Sequence, residues 1–376
     1  MKKKHTKRIL YVTTISVTMS FFTEHFKMLI NEGCSIELAC NTSSKVINET
    51  VSLGLKIHNI PFSRNPLSKD NYKAYKQLKK IIQNGNYDIV HCHTPIASAL
   101  TRIACKKQRK QGLKVFYTAH GFHFYKGAPL KNWLLFYPVE KWLSRYTDVL
   151  ITINKEDYNL AKNKFKKCNK VEYIPGVGLN ISKIEKVKIN KNQKRLELNA
   201  KNTDFIITSV GEINTNKNHE VVIKAISRLN ISNIHYYIAG EGNKRDYLIR
   251  LSKQLNIKNQ IHLLGYRNDI IEIYKASDVC CFPSIREGLG MAALEGMACG
   301  LPVIASKNRG TLDYCNKDNS ILCKYNSVDD FANAIVKLYK DKSLCKKMVN
   351  ENKKIVELFS TENAVNAIKK IYFNNN

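Results

Sequence analysis

A chain of 376 residues, 44% apolar and 9% aromatic, is long enough to bury two cores, and its composition excludes a disordered or collagen-like molecule. A formal charge of +30, from 61 basic and 31 acidic residues, favours anionic partners such as nucleic acid, acidic lipid head groups or phosphorylated substrates, without choosing among them. Eleven irregularly spaced cysteines without a CxxC pair argue against a structural zinc site and for a reducing compartment.

The basic start, Lys2-Lys3-Lys4, leads into an apolar run that soon meets Glu24, His25 and Lys27. That run is too short for a signal peptide, so residues 8–13 read as a first buried strand. An amphipathic helix over 21–32 ends at Gly33, and strands follow at 35–39 and 55–60. A helix over 72–83, a strand at 89–91, a helix over 96–109 and a strand at 114–119 continue the series. Residues 133–145 are helical, with Pro138 expected to kink or divide the helix. A strand at 149–153 and the segment 171–174 lead to Pro175-Gly-Val-Gly178, a turn signal.

Polar, lysine-rich residues 184–202 open a second series. Strands are expected at 205–210, 235–239, 261–264, 279–282 and 303–304. Helices are expected at 217–229, 245–255, 270–276, 291–298, 329–340 and 343–356. Apolar strands alternating with helices indicate an α/β fold with parallel sheets covered on both faces. The expected domains are 1–178 and 179–358, with 359–376 a terminal helix able to cross back to the first. Ligands of such sheets gather beyond the carboxyl ends of the strands, so a cleft between the two domains is the expected active site. No segment reaches the roughly 18 apolar residues that span a bilayer. Asn, Lys and Ile are used heavily, which reads as a coding bias rather than a physical demand.

The richest stretch is Glu287-Gly-Leu-Gly-Met-Ala-Ala-Leu-Glu295, preceded by Pro283-Ser284 and followed by Gly300-Leu-Pro302. Gly288, Leu289 and Gly290 stand at a helix entrance, where backbone donors and the helix dipole favour phosphate. Glu287 suits sugar hydroxyls or a developing positive charge, and Glu295 suits a ribose. An ordinary helix carboxylate paired with a base is the plainer reading of Glu295. Gly211 and Lys217, in Ser209-Val-Gly-Glu-Ile-Asn-Thr-Asn-Lys217, lie between a strand and a helix without forming a Walker A loop. Lys217 there can meet a phosphate or simply be solvated. Gly240-Glu-Gly242 makes a third tight loop. His120 sits where a strand delivers a side chain towards the cleft, and His123 supports its loop. His91, His93 and His120 make a metal conceivable, but no acidic DxD pair accompanies them, so the expected metal set is none. Residues 126–145 combine exposed-type aromatic and aliphatic residues with Lys131, Lys141 and Arg145, which fits either an anionic membrane surface or packing on the sheet. The lysines elsewhere are scattered, with clusters at 106–107 and 162–170. A solvated basic surface accounts for them, and no specific nucleic-acid motif is present.

On these residues the chain resembles bacterial glycosyltransferase family 4, in its capsule and exopolysaccharide branch. The likeness covers nearly the whole chain and is most specific at Pro283-Ser284…Glu287–Glu295, helped by Asn216-Lys217-Asn218 and Thr118-Ala-His120-Gly-Phe. It implies a GT-B fold of two facing Rossmann-like domains, with acceptor in the first and nucleotide sugar, UDP-linked, in the second. It implies retaining, metal-independent sugar transfer to a polyprenyl-diphosphate-linked saccharide or related glycan, with no cofactor beyond the donor. Cytoplasmic location on the inner face of the membrane accompanies that chemistry. By resemblance, His120, Lys217 and Glu287 are catalytic, Lys217 and the Gly288–Gly290 amides hold the diphosphate beside Gly211, and Glu295 holds the ribose. Two departures stand out: Glu212 occupies a position where many relatives carry Arg, and the first loop, 13–19, lacks glycine. The alternatives are a non-hydrolysing UDP-sugar epimerase of similar fold and a non-enzymatic anion- or nucleic-acid-binding protein.

Overall fold

The computed structural model describes residues 6–44 and 48–373, without the side chain of Asn48; the Lys2-Lys3-Lys4 cluster lies outside the described residues. The chain divides into two compact units, Met1–Gly178 with Thr361–Asn376, and Leu179–Ser360.

The first unit holds strands β1 (Arg8–Ile15), β2 (Ser35–Asn41), β3 (Lys56–Asn59), β4 (Ile89–His93), β5 (Lys114–Ala119), β6 (Val149–Thr152) and β7 (Lys170–Tyr173). They form one parallel sheet in the order β3-β2-β1-β4-β5-β6-β7. The inner strands are buried along nearly their whole length because helices cover both faces, which is why they read as continuous apolar runs. The second unit holds β8 (Phe205–Val210), β9 (Ile234–Ala239), β10 (Ile261–Gly265), β11 (Val279–Phe282), β12 (Val303–Ser306) and β13 (Ser320–Cys323). These pair in parallel in the order β10-β9-β8-β11-β12-β13. In each sheet the strand order reverses once, beside β1/β4 and beside β8/β11. Such a reversal sends the two flanking connections to opposite faces and opens a crevice at the strands' carboxyl ends.

Three local outcomes differ from the sequence reading. One helix, Leu130–Leu143, runs through Pro138 without being divided. Proline removes the donor for the Leu134 carbonyl, but Leu134 is exposed, so solvent can meet that oxygen. The glycine-free segment after Thr13 extends β1 and then tightens into a 3₁₀ helix, Ser16–Phe22. Nor are all the asparagines incidental. Asn86, Asn199, Asn218, Asn230 and Asn256 adopt positive φ, and Asn154, Asn180 and Asn190 cap helices by accepting from backbone N–H groups.

The terminal helix, Thr361–Phe373, belongs to the first unit. Its Tyr372 hydroxyl lies 2.7 Å from His91 Nδ1, and its Lys369 pairs with Glu32. All eleven cysteines are free thiols, and burial pushes most of them towards the neutral form, with Cys280 and Cys281 fully buried.

In the second unit, buried Arg195 joins the helix Lys191–Glu197 to the sheet. It donates to the carbonyls of Ala276 (2.9 Å), Asn202 (3.1 Å) and Asp204 (3.0 Å) and to Asp278 Oδ2 (2.7 Å). Arg195→Ala removes a donor from three carbonyls and leaves Asp278 with only Ile206 N–H (2.8 Å) and Lys191 (3.3 Å), so it should destabilise this unit by about 3 kcal/mol. Arg195→Lys should recover only a minor part, because an ammonium cannot reproduce the fork. Calorimetric melting of the variants checks this, and a melting temperature within 1–2 °C of wild type, roughly the effect of less than 1 kcal/mol, would contradict it.

Candidate functional site

The crevice of the second sheet is built by the loops that leave β8 and β11. Lys217, at the end of the β8 loop, places Nζ 2.7 Å from Glu287 Oε1, at the end of the β11 loop. The same ammonium sits 5.1 Å from the Phe282 ring centroid. Two residues read separately in the sequence therefore form one ion pair. Polar side chains lace the loops further. Ile285 N–H donates to Asn216 O (2.8 Å), Asn216 Nδ2 to Arg286 O (3.0 Å), and Asn218 Nδ2 to Pro283 O (3.2 Å). Asn218 does so from a left-handed conformation (φ 55°) just before the helix His219–Leu229.

Glycine is required at two positions. A Cβ on Gly240 would lie 2.0 Å from Gly211 O, so the loops after β8 and β9 touch through bare backbone. Gly290, at φ +94°, starts the helix Met291–Ala298, and a Cβ there would lie 2.7 Å from the Phe282 ring and 2.9 Å from the Tyr314 hydroxyl. Tyr314 donates its hydroxyl to Gly290 O (3.0 Å), fixing that turn. Gly211, Gly288, Leu289 and Gly290 thus flank the Lys217–Glu287 pair on structured loops, with Leu289 buried.

A set of residues missed in the sequence reading comes from the loop after β12. Buried Arg309 donates through Nε to Glu287 O (3.2 Å), and Asn308 Nδ2 donates to Ser284 O (3.0 Å). Gly310 is fixed by space, since a Cβ would lie 2.9 Å from Leu289 O. Strand–Asn-Arg-Gly at a carboxyl edge was the available signal. Glu212 is exposed, and Arg309 ties the loop after β12 to the Glu287 backbone.

Glu295 lies on the Met291–Ala298 helix, mostly buried near Tyr274, Cys280 and Cys299. Its carboxylate has no hydrogen-bond partner among the described residues, and burial raises its pKa from 4.5 to about 7. It is not the paired surface carboxylate that the plainer reading allowed.

In the first unit, His120 follows β5. Its Nε2 is 3.1 Å from His93 Nδ1, and burial lowers its pKa to about 4. His91 contacts Tyr372 through Nδ1 and the Thr118 hydroxyl through Nε2 (2.8 Å), so both its ring nitrogens are committed. His25 joins this nest from the helix Thr23–Asn31, buried, without hydrogen-bond partners among the described residues, and also lowered to about 4 by burial. His93 stacks on Tyr11, and His25, His93 and His120 pack against Phe22 at a tilt. Among the described residues, no group of three or more His, Cys, Asp or Glu side chains is arranged to hold a metal ion.

Glu295 yields a pH-dependent expectation. Its folded pKa lies above the unfolded one, so the folded state binds the extra proton between pH 4.5 and about 7, and its stabilising contribution is lost as pH rises through that window. Glu295→Gln, neutral at all pH, should therefore be more stable than wild type at pH 8 by on the order of 2–3 kcal/mol and lose that advantage at pH 4.5. Denaturant unfolding at the two pH values measures it; an equal difference at both would refute burial of an ionisable carboxyl.

Known proteins share this architecture. A family model described as "Glycosyl transferase 4-like" matches residues 8–154, and one described as "Glycosyl transferases group 1" matches residues 190–355. The putative glycosyltransferase EpsD of Bacillus subtilis is 39% identical over 374 residues, spanning 98% of this chain and 96% of that protein. An Escherichia coli enzyme named UDP-Gal:alpha-D-GlcNAc-diphosphoundecaprenol alpha-1,3-galactosyltransferase is 30% identical, covering 99% and 98%. Sucrose-phosphate synthase of Thermosynechococcus elongatus (TM-score 0.81, 18% identity, 98% of both chains) shares the fold. So does HepE of Anabaena (TM-score 0.80, 17% identity, 98% and 100%). Two Rossmann-like units, both matched family models and 39% identity to EpsD over nearly the full length of each chain place this chain among the GT-B glycosyltransferases, as a relative of EpsD.

Proposed function

We propose that this glycosyltransferase moves a sugar from a UDP-linked donor to a polyprenyl-diphosphate-linked saccharide, with retention at the anomeric carbon and without a metal. The observation that carries the reading is the Lys217–Glu287 ion pair on the loops at the β8/β11 reversal, beside the turn that ends at Gly290. Lys217 has donors to spare after one bond to Glu287, so it can also meet a diphosphate oxygen. Glu287 then faces the donor's sugar hydroxyls. Glu295, unpartnered and half-neutral near pH 7, takes a ribose hydroxyl. The name of the E. coli relative supports both the donor and the acceptor class.

In this reading the bond from the anomeric carbon to the diphosphate oxygen breaks as the acceptor oxygen bonds to the same face. The acceptor's proton passes to the departing phosphate oxygen, so no protein base is needed. Lys217 and the backbone around Gly288–Gly290 stabilise the charge that collects on that oxygen, the largest electrostatic task of such a site. His120, in the first unit, is held neutral by burial and can offer a hydrogen bond without adding charge. The acceptor belongs to the first unit. The exposed apolar residues of Leu130–Leu143, with Lys131, Lys141 and Arg145 nearby, suit a peripheral position on the cytoplasmic face of an anionic membrane. Among the described residues no helix is long and apolar enough to cross one.

Lys217→Ala and Glu287→Ala should each lower sugar transfer at least about 100-fold, some 2.7 kcal/mol in the barrier, with melting preserved. A panel of nucleotide sugars with lipid-linked saccharide acceptors, read by product mass and by the anomeric coupling constant, makes the measurement. Unchanged turnover in both variants would reject this donor site, and an inverted product would reject retention.

A further inference from the structure

The two histidines that close β4 hold different partners. His91 commits both ring nitrogens inside the first unit, to Tyr372 and Thr118. His93 commits one: its Nδ1 lies 3.1 Å from His120 Nε2, while its Nε2 is buried without a hydrogen-bond partner among the described residues. The His93 ring has no room to turn. It is 1% exposed and packed among Tyr11 (centroids 5.2 Å apart, rings 19° from parallel), Phe22 (4.2 Å) and His91 (4.3 Å). The backbone after it is fixed as well. Thr94 holds φ 63°, ψ 146°, a conformation that costs a β-branched residue energy, and Thr14 N–H donates to its hydroxyl (3.1 Å). His120, by contrast, is partly exposed, and its Nδ1 has no hydrogen-bond partner among the described residues. Burial keeps both rings neutral.

A hydrogen bond between two neutral imidazoles needs one N–H and one bare nitrogen, so the tautomers of the two rings are coupled. If His120 donated, the one proton of the His93 ring would sit on Nε2, buried with no acceptor, and His120 would have only a bare Nδ1 left to offer. If His93 donates, no N–H is buried unpaired, and His120 carries its proton on Nδ1. Buried N–H groups without an acceptor are rare in native proteins, which favours the second arrangement.

We infer that His93 is a positioning residue for sugar transfer: taking His120 in the role given above, His93 donates to its Nε2 and leaves Nδ1–H as the group that His120 presents to a substrate oxygen. A free imidazole exchanges its proton between two nitrogens, and His93 removes that freedom. His120 then donates to a hydroxyl or phosphate oxygen and accepts no proton at Nδ1, which agrees with a transfer that uses no protein base. The plane of the His120 ring is set by a neighbour that cannot rotate.

Long-range 1H–15N correlation on full-length protein labelled with 15N-histidine reads the tautomers directly, with the two residues assigned from the His93→Asn and His120→Ala spectra. A protonated Nδ1 and a bare Nε2 are expected at both rings of the wild type, a result that stands whether or not any variant folds. In His93→Leu, His120 should lose that single form and exchange its proton between both nitrogens. In the transfer assay, His93→Leu should lower kcat about tenfold with KM unchanged for both substrates. His93→Asn, whose amide N–H can stand where Nδ1–H stood, should recover kcat to within about threefold of wild type. In a His120→Ala background, His93→Leu should cost nothing further, because its effect runs through His120. A packing role alone would make Asn, the more polar replacement in a buried site, at least as harmful as Leu. That order, losses that add in the double variant, or an Nε2–H at either ring of the wild type would overturn the inference. Wild-type turnover in His120→Ala would reject the role of His120 itself. Turnover lost in His120→Ala but kept in His93→Leu would reject that of His93 alone.

Discussion

The second unit depends on how closely the loops after β8 and β11 are laced. The reversal of strand order at β8/β11 provides the crevice, but a crevice between two mobile loops would place no side chain accurately. Here Asn216 and Asn218 bond across to the β11 loop, and Arg309 and Asn308 clamp its other side. Lys217 and Glu287 meet at the centre of that lattice. Fixing two long side chains costs conformational entropy, and an ion pair at this partial exposure returns only a modest amount. The geometry is therefore set by the backbone lacing, with the ion pair as its consequence. Gly240 and Gly310 belong to the same constraint, because any side chain there would push neighbouring loops apart.

The first unit repeats the strand order and uses its reversal differently. At the ends of β1 and β4, Thr14 and Thr94 are joined through their hydroxyls, and Thr94 holds a positive φ. Next to them lies a nest of histidines kept neutral by burial, with His25, His91 and His93 behind His120. Neutral imidazoles can share a small volume because only the charged forms repel. Their burial also means that His120 reaches its surroundings as a hydrogen-bonding group, not as a cation.

Much of this was legible in the sequence because the signals were local. Buried parallel strands read as apolar runs, and Glu287, Gly288, Gly290 and Glu295 announced themselves by spacing. The remainder depended on contacts between distant segments. Nothing in Arg309's neighbourhood of sequence states that its guanidinium will meet the Glu287 carbonyl. His25 read as one of the polar residues that end the first apolar run, yet it is buried, with its ring against Phe22. Pro138 was expected to kink or divide its helix; the helix is undivided, and solvent can meet the Leu134 carbonyl that proline leaves without a donor. Composition alone could not single out the asparagines that sit at caps and left-handed turns, because those roles are set by position.

The charge balance around Lys217 narrows how the proposed chemistry can proceed. Glu287 neutralises Lys217 at 2.7 Å, and Arg309 is turned towards the Glu287 carbonyl. A diphosphate arriving alone would meet a lysine already shared with a carboxylate, and repulsion from Glu287 would offset part of the attraction. A nucleotide sugar brings hydroxyl donors along with its phosphates. Those donors give the Glu287 carboxylate a new set of partners, which frees more of the Lys217 ammonium for the phosphate. In this reading the two halves of the donor are recognised together: the sugar releases the cation that the diphosphate needs. The ion pair then serves as a coupling between sugar and phosphate recognition, and the loop lattice around it keeps that coupling from relaxing into solvent.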